Sequence, residues 1–157
     1  MKKILLNIIS NFANSIYYEN NYDVRLINNK PFIFKFCHDE GIAGLLMYRV
    51  LWLFYIPFIE INDAFYSFED DEQEFILQHE FAHYKFKHYR WDYQYLSNEE
   101  ANELEIHADL YAMIKTNKDV ALRALNKLED ICNNMEVDTK YIRERILQME
   151  KYKERAK

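Results

Sequence analysis

Four residues limit the fold of this chain more than any others. Gly41, Gly44, Pro31 and Pro57 are the only glycines and prolines among 157 positions. A fold of many short strands needs a turn every eight to twelve residues or so, and such turns draw on glycine and proline. A chain this poor in both is expected to be mainly helical. Half of its residues are hydrophobic and 17% are aromatic, enough for one domain that buries roughly 70% of its unfolded surface. The net charge of −6 argues against nucleic-acid phosphate as a partner. Cys37 and Cys132 form neither a disulfide framework nor a CxxC site, which points to a reducing, cytoplasmic setting.

Two apolar stretches invite a leader or membrane reading, and neither is expected to serve as one. At the start, "MKKILLNIISNFANS" is leader-like, but its apolar run is short and broken by Asn7, and Ile4, Leu5, Ile8, Ile9 and Phe12 fall at helical spacing. Residues 44–59 are too few to span a bilayer and carry Arg49 and Pro57, so a buried strand or core helix is expected.

Read along its length, the chain opens with an amphipathic helix over residues 3–17. "YDVRLI" and "FIFKF", separated by "NNKP", read as a hairpin. "FIEINDAF" alternates as a strand does. "SFEDDEQ" is an acidic helix start, with Ser67 or Asp70 as its cap, and that helix runs to about Tyr89. Ser97 and Glu100 form a capping box that opens the next helix, through about Lys115. Two further stripes, Ala121–Leu125–Leu128–Cys132–Met135 and Ile142–Ile146–Met149–Tyr152, read as the core faces of two last helices. The whole is expected to be one α+β domain over residues 1–157: an N-terminal helix and strands (1–58), a core carrying the metal site (59–115) and a C-terminal helical pair (116–157). A small antiparallel sheet is expected to pack on the helix of the site.

Three of the five histidines lie in "FILQHEFAHYKFKH", residues 75–88. His79 and His83, four apart on a helix, project from one face with Cβ atoms about 6 Å apart. Two imidazoles so placed can meet one zinc ion at roughly 2.0 Å. Glu80, turned about 100° from His79, can reach a water on the metal without binding the metal itself. The next helix, "NELEIHADLYA", offers a partner on either of two faces. Glu105 and Asp109 share one with Asn102 and Ala112; Glu103 and His107 share the other with Leu110 and Ile114. Periodicity alone leaves that choice open.

HExxH followed about twenty residues later by E-x-x-A-D resembles the glutamate-zincin zinc peptidases, above all the family of the CAAX prenyl endopeptidases and heat-shock membrane proteases. "IEIND…EQEFILQHEFAHYKFKH" is also similar to small metallopeptidases that cleave repressors in bacteria and mobile elements. The resemblance covers roughly residues 59–115 and echoes weakly to about residue 149. It implies a zinc-dependent endopeptidase with His79, His83 and Glu105 as metal ligands, Glu80 as general base and Asp109 as partner of a ligating histidine. His107, Tyr111 or the loop Trp91–Tyr95 would supply an oxyanion donor. By the same analogy the strand at Ile59–Asn62 would pair with an extended peptide substrate, and no nucleic acid or membrane partner is implied. A regulatory protease or a phage or mobile-element effector is the implied setting, which the Asn-, Lys-, Ile- and Tyr-rich usage suits. The alternative is a non-catalytic, zinc-stabilised protein-binding module. A metzincin pattern would require glycine at 86 and histidine at 89, where the chain has Phe86 and Tyr89; His88 reads as solvent-facing.

Overall fold

The computed structural model describes residues 22–36, 43–50, 54–88 and 95–152. The helix expected over residues 3–17 and most of the loop Trp91–Tyr95 lie outside them. Contacts gather the chain into two compact units, Met1–Ser67 and Phe68–Lys157. The stretch 59–115, read from the sequence as one core, is shared between the two. The fold is α+β, and the described residues form a small four-stranded sheet in the first unit and four helices in the second.

The hairpin forms where the spacing places it. β1 (Tyr22–Ile27) and β2 (Lys30–Phe36) run antiparallel. They turn through Asn28 and Asn29, whose φ angles of 49° and 63° are the left-handed values that a two-residue hairpin turn requires and asparagine tolerates. β3 (Ala43–Val50) and β4 (Phe54–Ile61) divide the long apolar stretch between them and pair antiparallel. Among the described residues no helix is long and apolar enough to cross a membrane.

The sheet corrects two expectations. It is mixed rather than antiparallel: the order is β1-β2-β4-β3, with β4 parallel to β2. β4 is therefore interior, and Ile59 pairs with Phe34 on one side and Leu45 on the other. A substrate strand cannot add alongside Ile59–Ile61, because that backbone is already laddered on both edges. The reason is burial. Phe58 and Ile59 are adjacent and both inaccessible, as are Phe32, Ile33 and Phe34 in β2. Strands apolar on both faces gain most from an inner position. Pro57 fits there because the ladder to β2 begins one residue later, at Phe58, so its missing N–H breaks no bond on that side.

The second unit holds α1 (Asp70–Phe86), α2 (Asn98–Lys115), α3 (Lys118–Asn134) and α4 (Lys140–Lys151). The cap of α1 is Glu69, not Asp70 or Ser67. Glu72 turns back to accept the Glu69 N–H at 3.0 Å, while Arg123 of α3 donates to its other oxygen at 2.9 Å. Ser67 is engaged elsewhere, closing the preceding 3-10 turn on the Ala64 carbonyl. The box at α2 is as read: Glu100 N–H donates to Ser97 Oγ at 3.2 Å and Ser97 N–H to Glu100 at 2.8 Å. Such a cap contributes about 1 kcal/mol.

α2 touches α1, α3 and α4, and α3 likewise touches the other three helices. Fully buried alanines on α1 (Ala82) and α2 (Ala108, Ala112) suit a close crossing. The stripes of α3 and α4 are core where they are central (Ala121, Leu125, Ile146, Met149), but Met135, beyond the end of α3, is exposed. α1 stops at Phe86, earlier than the pattern suggests, because Lys87 turns left-handed at φ 60°.

Candidate metal centre

α1 carries His79 and His83 one turn apart, and α2 brings Glu105 to them. His79 Nε2 lies 2.9 Å from His83 Nε2 and 3.2 Å from Glu105 Oε2, and His83 Nε2 lies 3.3 Å from Glu105 Oε1. Donor atoms about 2.0–2.1 Å from one tetrahedral ion stand about 3.3 Å apart. The three side chains therefore form a triangle of the size that one small cation requires. Among the described residues this is the one group of histidine, cysteine and carboxylate side chains close enough to hold a metal ion.

The choice between the two faces of α2 is settled by burial. Asn102, Ala108, Asp109 and Ala112 are buried, whereas Glu103, His107 and Ile114 are exposed. Glu105 and Asp109 thus face α1 together. Asp109 has no solvent exposure and accepts from His79 Nδ1–H at 2.8 Å. That bond leaves His79 Nε2 as the atom directed at the centre. A carboxylate behind a histidine also raises its basicity and holds its ring in place.

Arg145 on α4 is the member that sequence reasoning missed. Its Nε donates to Asp109 Oδ2 at 2.6 Å and its Nη2 to Oδ1 at 2.9 Å, while Nη1 lies 3.5 Å from Glu105 Oε2. Arg145 sits one residue before Ile146, within a stripe that reads only as core. Its signal would have been a cation placed on an otherwise buried helix face.

The electrostatics follow from burial and these contacts. Burial works against charge on the His79 ring, but the charge and hydrogen bond of Asp109, then Glu105, outweigh it and raise its pKa to about 10. Burial, then the charge on His79, drives His83 down to about 3. Burial would raise both carboxyls. Hydrogen bonding and charge from His79 hold Glu105 low, and the charge of Arg145, then of His79, does the same for Asp109. At neutral pH the metal-free site thus carries one imidazolium, whose Nε2–H donates to His83 in the seat that a cation would take. The sign is then determined: a metal ion must displace that proton, so affinity rises with pH and falls as the pH drops. Zinc uptake at pH 6–7 should release about one proton per ion, with affinity climbing about tenfold per pH unit. Titration calorimetry in two buffers of different ionisation heat reads this directly; equal heats in both would refute it.

The other residues singled out from the sequence fall into two groups. Glu80 is buried beside His79, and its charge contributes to raising the Arg145 pKa. His107 stacks on Phe86, with ring centroids 4.2 Å apart, and Tyr111 meets Phe81, Phe86 and the ammonium of Lys85. Both belong to an aromatic cluster at the end of α1. His88 is not solvent-facing as expected. It is buried, and its Nδ1 lies 3.0 Å from His83 Nδ1.

The chain was compared with protein families, with curated proteins and with solved structures. It matches none of them. The geometry of the site can hold a metal ion through His79, His83 and Glu105.

Proposed function

We propose that this chain is a zinc-dependent endopeptidase with Glu80 as general base. The observation that carries this reading is the position of Glu80, a buried carboxylate that directly follows His79 on α1, the helix that presents both histidines to Glu105. A metal that serves only the fold is usually held by four protein ligands, whereas three converge here among the described residues, which leaves a position for water.

Zinc on these ligands would acidify a bound water and polarise the carbonyl of a peptide bond. Glu80 would accept the proton of the attacking water and deliver it to the leaving amine nitrogen. Asp109 holds the His79 ring, and Arg145 holds Asp109, so the ligands are oriented before substrate arrives. An open cleft of about 230 Å³ borders Glu105 and is walled by Ala101, Tyr141, Ile142 and Arg145. Of the proposed ligands it touches Glu105 alone. The resemblance to glutamate-zincin peptidases supports the same reading, and with it a regulatory or mobile-element protease acting on a protein substrate.

The test is Glu80→Gln. The variant should bind zinc as wild type does but lose hydrolysis of a casein or peptide-library substrate by about 100- to 10,000-fold, the range of a general acid–base contribution. Equal hydrolysis by both proteins would remove Glu80 from its role. Zinc retained without hydrolysis by either would leave a zinc-stabilised binding module.

A further inference from the structure

His88 lies outside the HExxH pattern, yet its ring meets a ligand of the proposed site. The chain reaches this position by a local turn. α1 ends when Lys87 takes a left-handed conformation, and the His88 N–H then donates to the His83 carbonyl at 2.9 Å. A left-handed φ of 60° is uncommon for a lysine. The result folds the His88 ring back over His83, with centroids 5.0 Å apart and planes at 77°. Phe86 stacks near it at 5.8 Å and His107 at 5.4 Å.

The contact between the two rings is directional. His83 Nε2 faces His79 and Glu105, so as a ligand it must present a lone pair there. The single proton of a neutral His83 ring is then on Nδ1, the atom that lies 3.0 Å from His88 Nδ1. Two ring nitrogens at that distance share one proton, and His83 is the donor. His88 therefore offers an unprotonated Nδ1 as acceptor. The arrangement mirrors Asp109 behind His79: each ligating histidine has its outer nitrogen engaged, one by a carboxylate and one by an imidazole.

We propose that His88 is a positioning residue for the metal site, accepting the His83 Nδ1–H and so holding His83 in the tautomer and ring orientation that direct Nε2 at the ion. The inference rests on the proposed zinc site and deepens it. Loss of an outer partner of this kind typically lowers metal affinity about 10- to 100-fold.

The experiment compares wild type with His88→Leu, which fills similar space but accepts no hydrogen bond, and His88→Asn, whose amide oxygen does accept. Zinc affinity is measured by competition with a chromophoric chelator, and the His83 tautomer of the metal-free proteins by long-range proton–nitrogen NMR. His88→Leu should bind zinc about 10- to 100-fold more weakly and show mixed His83 tautomers. His88→Asn should recover most of the affinity and the single Nδ1–H form. A merely space-filling role would be satisfied by leucine and would not distinguish the two. Unchanged affinity and tautomer in His88→Leu overturn the proposal while the zinc site stands. A wild type that takes up no zinc removes the site and the proposal together.

Discussion

Glu105→Ala should lose its zinc. Purified wild type, loaded and then dialysed against a weak chelator, is expected to keep close to one ion per chain, whereas the variant should fall to background in elemental mass spectrometry. The loss should exceed the roughly 10- to 100-fold that removal of an outer hydrogen-bond partner costs, because Glu105 supplies one corner of the triangle itself, 3.2 and 3.3 Å from the two imidazole nitrogens. Glu103→Ala is the matched control, since Glu103 is exposed on α2 two residues away. Zinc retained by Glu105→Ala but lost from Glu103→Ala would reverse the assignment of the face. Zinc retained by both would mean that the histidines bind without a carboxylate from α2.

The largest effect on stability is expected at Arg145. Asp109 is wholly buried, and three of the hydrogen bonds it accepts come from charged or chargeable groups: two from Arg145 and one from His79. Arg145→Ala would leave that carboxylate buried with the histidine as its one remaining partner in this set. Breaking a buried pair by removing one member costs about 3–5 kcal/mol, more than the net worth of the intact pair, because the survivor keeps its desolvation cost. Urea unfolding of the metal-free protein should show a loss of that size. Arg145→Lys should recover only part of it, since an ammonium cannot reproduce the two-pronged contact of the guanidinium. Replacing both partners, as Arg145→Met with Asp109→Asn, should cost less than the sum of the single changes. If Arg145→Ala unfolds at the same urea concentration as wild type, the pair does not hold α4 to α2.

The two predictions separate what could be read from the chain from what could not. The histidine pair, Glu80 between its members and the box of Ser97 with Glu100 are spacings within one or two helical turns. Helix geometry converts them into shared faces without help from the rest of the molecule. The asparagine turn of the first hairpin is equally local. Errors began where a helix end depended on a side chain's alternatives. Glu69 became the cap because Glu72 and Arg123 lock that end of α1, and α1 stopped at Phe86 because Lys87 turned left-handed. Neither event leaves a periodic trace, and the second is what brought His88 back onto His83.

By itself, then, the sequence determined a largely helical chain with a hairpin and a paired set of imidazoles, because those features are built from residues no more than a few positions apart. Only the tertiary structure decided which face of α2 meets α1, that β4 is interior and beside β2 in parallel, and that Arg145 closes the site from the last helix. Each depends on partners far apart in the chain: 30 positions for His79 and Asp109, 36 for Asp109 and Arg145. Over such distances the winning contact is set by which buried charge finds a counter-charge and which apolar strand finds cover on both sides, and neither is encoded in any local repeat.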